Sequence, residues 1–205
     1  MPRQKTRRRS LIGLLPSLNR LWQRSPAGYQ PGVTLSRLAN NLQPYACERV
    51  TPCLLRLTLP QGPVIDISEQ VSALFMAHIV SQRFQRQGDC RLTEPLTLRI
   101  TAGGWLRRSG VVYRASRNDA TAQRVIAALQ RYPQIGQTLE QLDFRRIQLT
   151  VVAGRWRLEI EHFAASEVVS RLPAGRRYLR LEPEQRRLLL SSLLMIGQLM
   201  EKIDE

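Results

Sequence analysis

Acidic residues are missing from the first 47 positions of this chain; the first is Glu48. The same stretch carries eight cations, Arg3, Lys5, Arg7, Arg8, Arg9, Arg20, Arg24 and Arg37. With no internal counter-charge, it is matched to phosphates, an acidic protein surface or anionic lipid head groups. Lysine is nearly absent as well. Lys5 and Lys202 are the only two, so the surplus of +15 is built from arginine, whose planar fork pairs bidentately with phosphate and carboxylate. An arginine-rich composition also fits a merely solvated cationic surface.

Histidine and cysteine are scarce in a way that narrows the chemistry. His78 and His162 are the only imidazoles, and no H-x-x-x-H or His/Cys spacing brings ligands together for a metal. Cys47, Cys53 and Cys90 are odd in number and lack close C-x-x-C pairing, so they read as free thiols in a reducing compartment, by default the cytoplasm. No nucleophile elbow, phosphate-binding loop or dinucleotide fingerprint occurs, and Ala102-Gly103-Gly104 falls in a hairpin pattern. His162 with Glu159 and Glu161 makes a poor acid/base cluster, because strand alternation puts the histidine on the opposite face. The expectation is a non-enzymatic protein without cofactor or metal.

Long apolar runs are also lacking. Arg7-Arg8-Arg9 followed by Leu11 to Leu15 faintly resembles a signal sequence, but Pro16 ends the apolar run after five residues and no small-residue cleavage site follows. No stretch approaches the roughly eighteen apolar residues needed to cross a bilayer, so no transmembrane helix is expected.

What the chain does contain, at 205 residues and 43% apolar content, suffices for one well-packed domain with an appendage. The expected division is a basic, partly helical arm over 1–47 and a single domain over 48–205. Within the arm, Pro16 suits a helix start, and Leu18, Leu21 and Trp22 share one face beside Arg20 and Arg24. Thr34 is expected to cap a second helix carrying Leu35, Leu38, Ala39 and Leu42 on one face, a stripe fitted to its own domain, a partner or a membrane interface.

In the body, Leu55, Leu57 and Leu59 alternate with polar residues, turn at Pro60 to Pro63 and return through Val64, Ile65 and Ile67. A helix is expected from Ser68 to about Gln87, with Val71, Leu74, Phe75, His78 and Ile79 on its apolar face. Strands follow around Leu96–Ile100, Val111–Tyr113, Ile147–Val151 and Trp156–Ile160. A helix capped by Asn118 or Asp119 runs to Pro133, and a hairpin from Glu167 to Leu181 precedes a terminal helix opened by Pro183. Ala102-Gly103-x-Trp105 recurs as Ala153-Gly154-x-Trp156, a candidate internal duplication. The sum is an α+β fold: a two-layer antiparallel sheet of about eight strands built from hairpins, helices on one face, and a long buried C-terminal helix.

The polar face of that sheet is expected to present Arg56, Arg99, Arg155 and Arg157 with Thr58, Thr97, Thr101, Gln148 and Thr150. Arg176 and Arg177 extend the cationic set toward the last helix. No aromatic shares this outward register, so contact with a nucleic acid would run through its phosphates and not through stacked bases. The leading expectation is an accessory protein that binds an anionic polymer, nucleic acid first, through Arg3, Lys5, Arg7, Arg8, Arg9, Arg20, Arg24, Arg99, Arg155, Arg157, Arg176 and Arg177. The alternatives are a peripheral protein of anionic membranes or a module for an acidic protein partner, with Leu18, Leu21 and Trp22 as the membrane or partner contact, and a binder of a lipid or other hydrophobic ligand in a cavity between the sheet and the terminal helix.

Overall fold

The computed structural model describes residues 28–60, 62–103 and 110–203. One antiparallel sheet of ten strands organises them. Helix α1 (Val33–Asn41) comes first, then strands β1 (Ala46–Thr51), β2 (Leu54–Thr58), β3 (Val64–Ala73), β4 (Ala77–Asp89), β5 (Leu96–Ala102) and β6 (Val111–Ala115). Helices α2 (Ala120–Arg131) and α3 (Pro133–Gln141) follow, then β7 (Phe144–Val152), β8 (Arg155–His162), β9 (Ser166–Arg171), β10 (Ala174–Leu179) and α4 (Pro183–Glu201). The strand order is β1-β2-β3-β4-β8-β7-β5-β6, with β9 pairing the first part of β4 and β10 pairing β9.

The period-2 pattern makes one face apolar, and the helices cover it. Leu55, Leu57, Ile65, Ile67, Phe84, Leu98, Ile100, Ile147, Leu149, Trp156, Leu158 and Ile160 point into the core. Helix α4 lies on β4 and β8, α2 on β5, and α1 on β2 and β3. The leucine-rich α4 contributes Leu188, Leu189, Leu190, Leu193, Ile196 and Met200, buried as its apolar circumference requires. Leu35, Leu38 and Leu42 of α1 enter the same core, so the second amphipathic pattern docks on the body. The expected α+β architecture is present.

The segment after Ser68 departs from expectation. It is not a helix: β3 runs through Ala73, turns at Leu74-Phe75-Met76, and returns as the thirteen-residue β4. The turn contains no glycine, proline or asparagine to announce it, and the apolar residues around it fall by chance at helical spacing. Strand β4 and the short β1 bring the sheet to ten strands. Thr34 does not cap α1 either. Gly32, at φ 80°, occupies the N-cap, and Thr34 is buried one step inside. Asp119 does cap α2, its carboxylate accepting from the Ala122 amide at 2.9 Å. Pro133 both ends the α2 run and opens α3.

The suspected duplication has no common turn. Ala153 and Gly154, with φ of 49° and 77°, close the β7–β8 hairpin in two residues. Between β5 and β6 the Gly103 amide bonds the Gly110 carbonyl at 2.9 Å, leaving a longer connection. Trp105 lies outside the described residues.

The fit of α4 onto the sheet depends on a charged side chain. Arg86, on the core face of β4, passes beneath the helix and donates through Nη1 to the carbonyls of Leu193 and Leu194 at 3.1 and 2.9 Å. Its Nη2 meets Glu201 at 2.8 Å, and its guanidinium sits 5.4 Å from the centre of the Trp156 ring. Gly197 supplies the room, since a methyl group there would overlap the guanidinium; Gly88, directly opposite Trp156, leaves space for the indole. A Gly197→Ala chain should therefore lose about 2 kcal/mol or more through overpacking. Gly136→Ala, in α3 with open space around the new methyl, should gain roughly 0.5–1 kcal/mol of helix propensity. Urea unfolding of the two variants checks both signs.

Candidate anion-binding face

The face opposite the helices is open, and strand register places its side chains in rows. One row runs Glu48, Arg56, Asp66, Gln85, Glu159, Gln148, Arg99 and Arg114 across β1, β2, β3, β4, β8, β7, β5 and β6. A second places Gln87, Arg157, Thr150 and Thr97 side by side. The expected outward set therefore shares one face. No aromatic occupies the outward positions of β4, β8, β7 or β5.

Much of this charge is already balanced. Arg56 forks onto Asp66 at 2.8 and 3.2 Å, Arg83 lies 3.6 Å from Glu159, Arg145 meets Glu161 at 3.2 Å, and Arg155 stands 3.7 Å from Asp89. The pairs are exposed or half-exposed, and each contributes little to stability. Arg99, Arg114, Arg146 and Arg157 are left without an ion-pair partner among the described residues. A depression of about 520 Å³ is lined by Arg83, Arg99, Arg145 and Arg146, with Glu161 as its single carboxylate. Glu161 is engaged by Arg145 and by the Ser81 hydroxyl at 2.8 Å. Arg146 donates to Gln148. Arg99 has no ion-pair partner among the described residues and faces Arg114 directly across the β5–β6 pair. Like charges so placed repel, and an anion between them would relieve the repulsion.

A second depression of about 670 Å³ lies along β8 and β7, lined in part by Arg155, Arg157, Gln148 and Thr150, with Glu159 as its carboxylate. The structure thus unites Arg99, Arg155 and Arg157 on one face. It separates Arg176 and Arg177, which belong to the β9–β10 hairpin. Arg176 donates to the Gly28 carbonyl at 2.7 Å and lies 3.8 Å from Glu167. Arg3, Lys5, Arg7, Arg8, Arg9, Arg20, Arg24, Leu18, Leu21 and Trp22 fall outside the described residues. Arg83, Arg145 and Arg146 were missed. Reading β4 as helix hid Arg83, and an irregularity in register between Phe144 and Arg146 disturbs the alternation that would have exposed the other two.

Beneath α1 lies a different cluster, buried and polar. Glu69 on β3 accepts from the Tyr29 hydroxyl at 2.7 Å and from the amides of Gly32 and Leu35 at 2.9 and 3.2 Å. A carboxylate from the sheet thus does the capping that Thr34 was expected to do. Burial, then the bond to Glu69, pushes the Tyr29 phenol far up from its ordinary pKa. Glu167 on β9 receives Arg37 at 2.6 Å and the Thr34 hydroxyl at 3.3 Å. Gln82 and His78 complete the cluster, the Gln82 amide and His78 Nε2 lacking partners among the described residues. His78, expected on a helix, instead sits on the core face of β4 with Tyr29 edge-on at 6.4 Å. His162 is a joint between elements. Its Nδ1 accepts from the Ala164 amide at 2.9 Å, which leaves Nε2–H to meet Gln185 Oε1 at 3.0 Å.

The fold and this face define an α+β protein built on one antiparallel sheet, helix-covered on one side and cationic in patches on the other. The chain belongs to the family described as Protein of unknown function (DUF3156), whose model matches residues 40–200. No curated protein and no solved structure matches it.

The His78 environment has a measurable consequence. Burial, then the positive charge of Arg176, lowers its pKa below the ordinary 6.5. The folded state then binds this proton less tightly than the unfolded state. The stability due to neutral His78 is complete above 6.5 and is lost as pH falls from there through the lowered value. Melting temperature should fall over that acid range, and His78→Gln should flatten the fall.

Proposed function

We propose that this protein is a non-enzymatic accessory factor that binds an anionic polymer, nucleic acid in the first place, with the open face of its sheet and its arginine-rich N-terminal segment. The observation that carries the reading is the Arg99–Arg114 pair. Two arginines are paired directly across neighbouring strands, and one of them, Arg99, lines a depression with Arg83, Arg145 and Arg146 whose single carboxylate, Glu161, is already engaged. A phosphodiester backbone supplies negative charge at regular spacing, and arginine meets phosphate in bidentate geometry. The second depression adds Arg155 and Arg157 on β8. Because the face has no stacking platform, contact is to backbone phosphates and carries little sequence preference. The seven cations among residues 1–27 add charge without a competing carboxylate.

The test is a titration of the full chain with a fluorescent single-stranded oligonucleotide and its duplex at several salt concentrations. Binding should weaken steeply with salt, with a log–log slope of roughly −0.7 to −0.9 per phosphate neutralised. The Arg99→Glu, Arg146→Glu double variant should bind at least about tenfold more weakly at low salt, with a slope shallower by about 1.4–1.8 if each residue neutralises one phosphate. Absence of binding at low salt, or salt-independent binding, would reject the proposal; a variant indistinguishable from the parent would remove the sheet face from it.

A further inference from the structure

The ends of two hairpins project side by side at one end of the sheet. The Arg171 amide donates to the Met76 carbonyl at 2.8 Å, joining the β9–β10 tip to the β3–β4 tip. The residues at these tips are apolar: Leu74, Phe75 and Met76 on one, Leu172 on the other. Phe75 is 95% exposed and Leu172 75%, so neither side chain is covered by its own fold. Exposed leucines scattered singly are ordinary; four large apolar side chains on two joined tips are not.

Charge decides what such a tip is matched to. No acidic residue occurs between Glu69 and Asp89, nor between Glu167 and Glu182, the two stretches that contain the tips and the strands leading to them. Glu69 and Glu167 themselves are buried and hydrogen-bonded beneath α1. Behind the apolar residues stand Arg171 and Arg177, both exposed and neither ion-paired among the described residues. Arg176, on the same hairpin, holds the Gly28 carbonyl at 2.7 Å. The described chain therefore begins beside this hairpin, and the segment covalently preceding Gly28 carries seven cations and no acid.

From this we infer that the paired hairpin tips are a docking surface for an anionic lipid bilayer. Leu74, Phe75, Met76 and Leu172 enter the boundary between head groups and acyl chains, and Arg171 and Arg177 contact lipid phosphates. A projecting point fits a bilayer better than a folded protein. Protein interfaces bury about 800 Å² on each partner, whereas four side chains on two narrow turns offer a wedge. Interfacial binding needs apolar side chains that reach the acyl boundary and arginines whose charge stays at head-group depth, the arrangement found here. The cationic depression on the open face reaches the same end of the sheet, through Val71 and Ser72 of β3, but none of Leu74, Phe75, Met76, Leu172, Arg171 and Arg177 lines it, so variants at the tips test this inference separately from nucleic-acid binding.

Co-sedimentation of the full chain with vesicles tests the inference, using phosphatidylcholine mixed with phosphatidylserine against phosphatidylcholine alone. Wild-type protein should sediment with the anionic vesicles and far less with the neutral ones. Phe75→Asp combined with Leu172→Asp, both at exposed positions outside the core, should lower retention at least about tenfold, and Arg171→Glu with Arg177→Glu should lower it comparably. In a Phe75→Trp chain, the emission added by the new indole should shift to the blue only with anionic vesicles. Failure of the wild type to sediment would overturn the inference, as would unchanged retention of the Phe75→Asp, Leu172→Asp variant, which would assign binding to the N-terminal cations alone. Concentration-dependent self-association abolished by the same variant, without vesicle retention, would give the tips to a second copy of the chain and equally overturn it.

Discussion

Arg86 is the constraint around which the two layers are fitted. A guanidinium buried between a sheet and a helix must have its charge and donors answered locally, because a stranded cation in a core is strongly destabilising. The answers to its two terminal nitrogens come from far along the chain, the carbonyls of Leu193 and Leu194 and the carboxylate of Glu201, with the face of Trp156 beside them, while Nε has no hydrogen-bond partner among the described residues. These partners work only if α4 crosses β4 at one height and rotation. Leucines alone would allow the helix to slide, since one apolar row packs much like the next. Gly197 and Gly88 are the complements of this arrangement, one opening the helix to the guanidinium and the other opening the strand to the indole.

With the helices committed to one side, the other face of the sheet is left to water, and its composition follows. Opposite charges face one another across neighbouring strands over much of its width, as Arg56 does with Asp66. The exception at Arg99 and Arg114 stands out because cross-strand neighbours normally avoid like charge. The second departure is the end of the sheet, where apolar turns replace the polar residues that hairpin tips usually carry. Both are places where the folded chain leaves a local cost unrelieved, cationic in one and apolar in the other. Costs of this kind are what a partner can remove.

Legibility in the sequence followed the range of the forces involved. The hairpin through Leu55 and Ile67, the strict alternation of Trp156, Leu158 and Ile160, the Asp119 cap and the leucine-rich terminal helix were all readable, because each rests on residues within a few positions of one another. The β3–β4 hairpin was not. Its turn, Leu74-Phe75-Met76, has no residue favouring a bend, and Val71, Leu74, Phe75 and His78 imitate a helical stripe. That one misreading hid Arg83, placed His78 on the wrong element and concealed the exposed tip. The capping of α1 was equally hidden, since Glu69 reaches the helix from a strand 34 positions away from Leu35.

The sequence by itself determined the α+β class, the one-sided burial of the sheet, the surplus of arginine and the acid-free first 47 residues. These are properties of composition and short-period pattern, which survive whatever the chain does at long range. Tertiary structure alone decided which arginines remain unbalanced, that Glu69 and Glu167 lie beneath one helix, and that two apolar turns far apart in the chain stand together. Such facts depend on strand register and on the choice of neighbouring strands. A shift of one residue would exchange every inward and outward side chain, and no local preference fixes that choice.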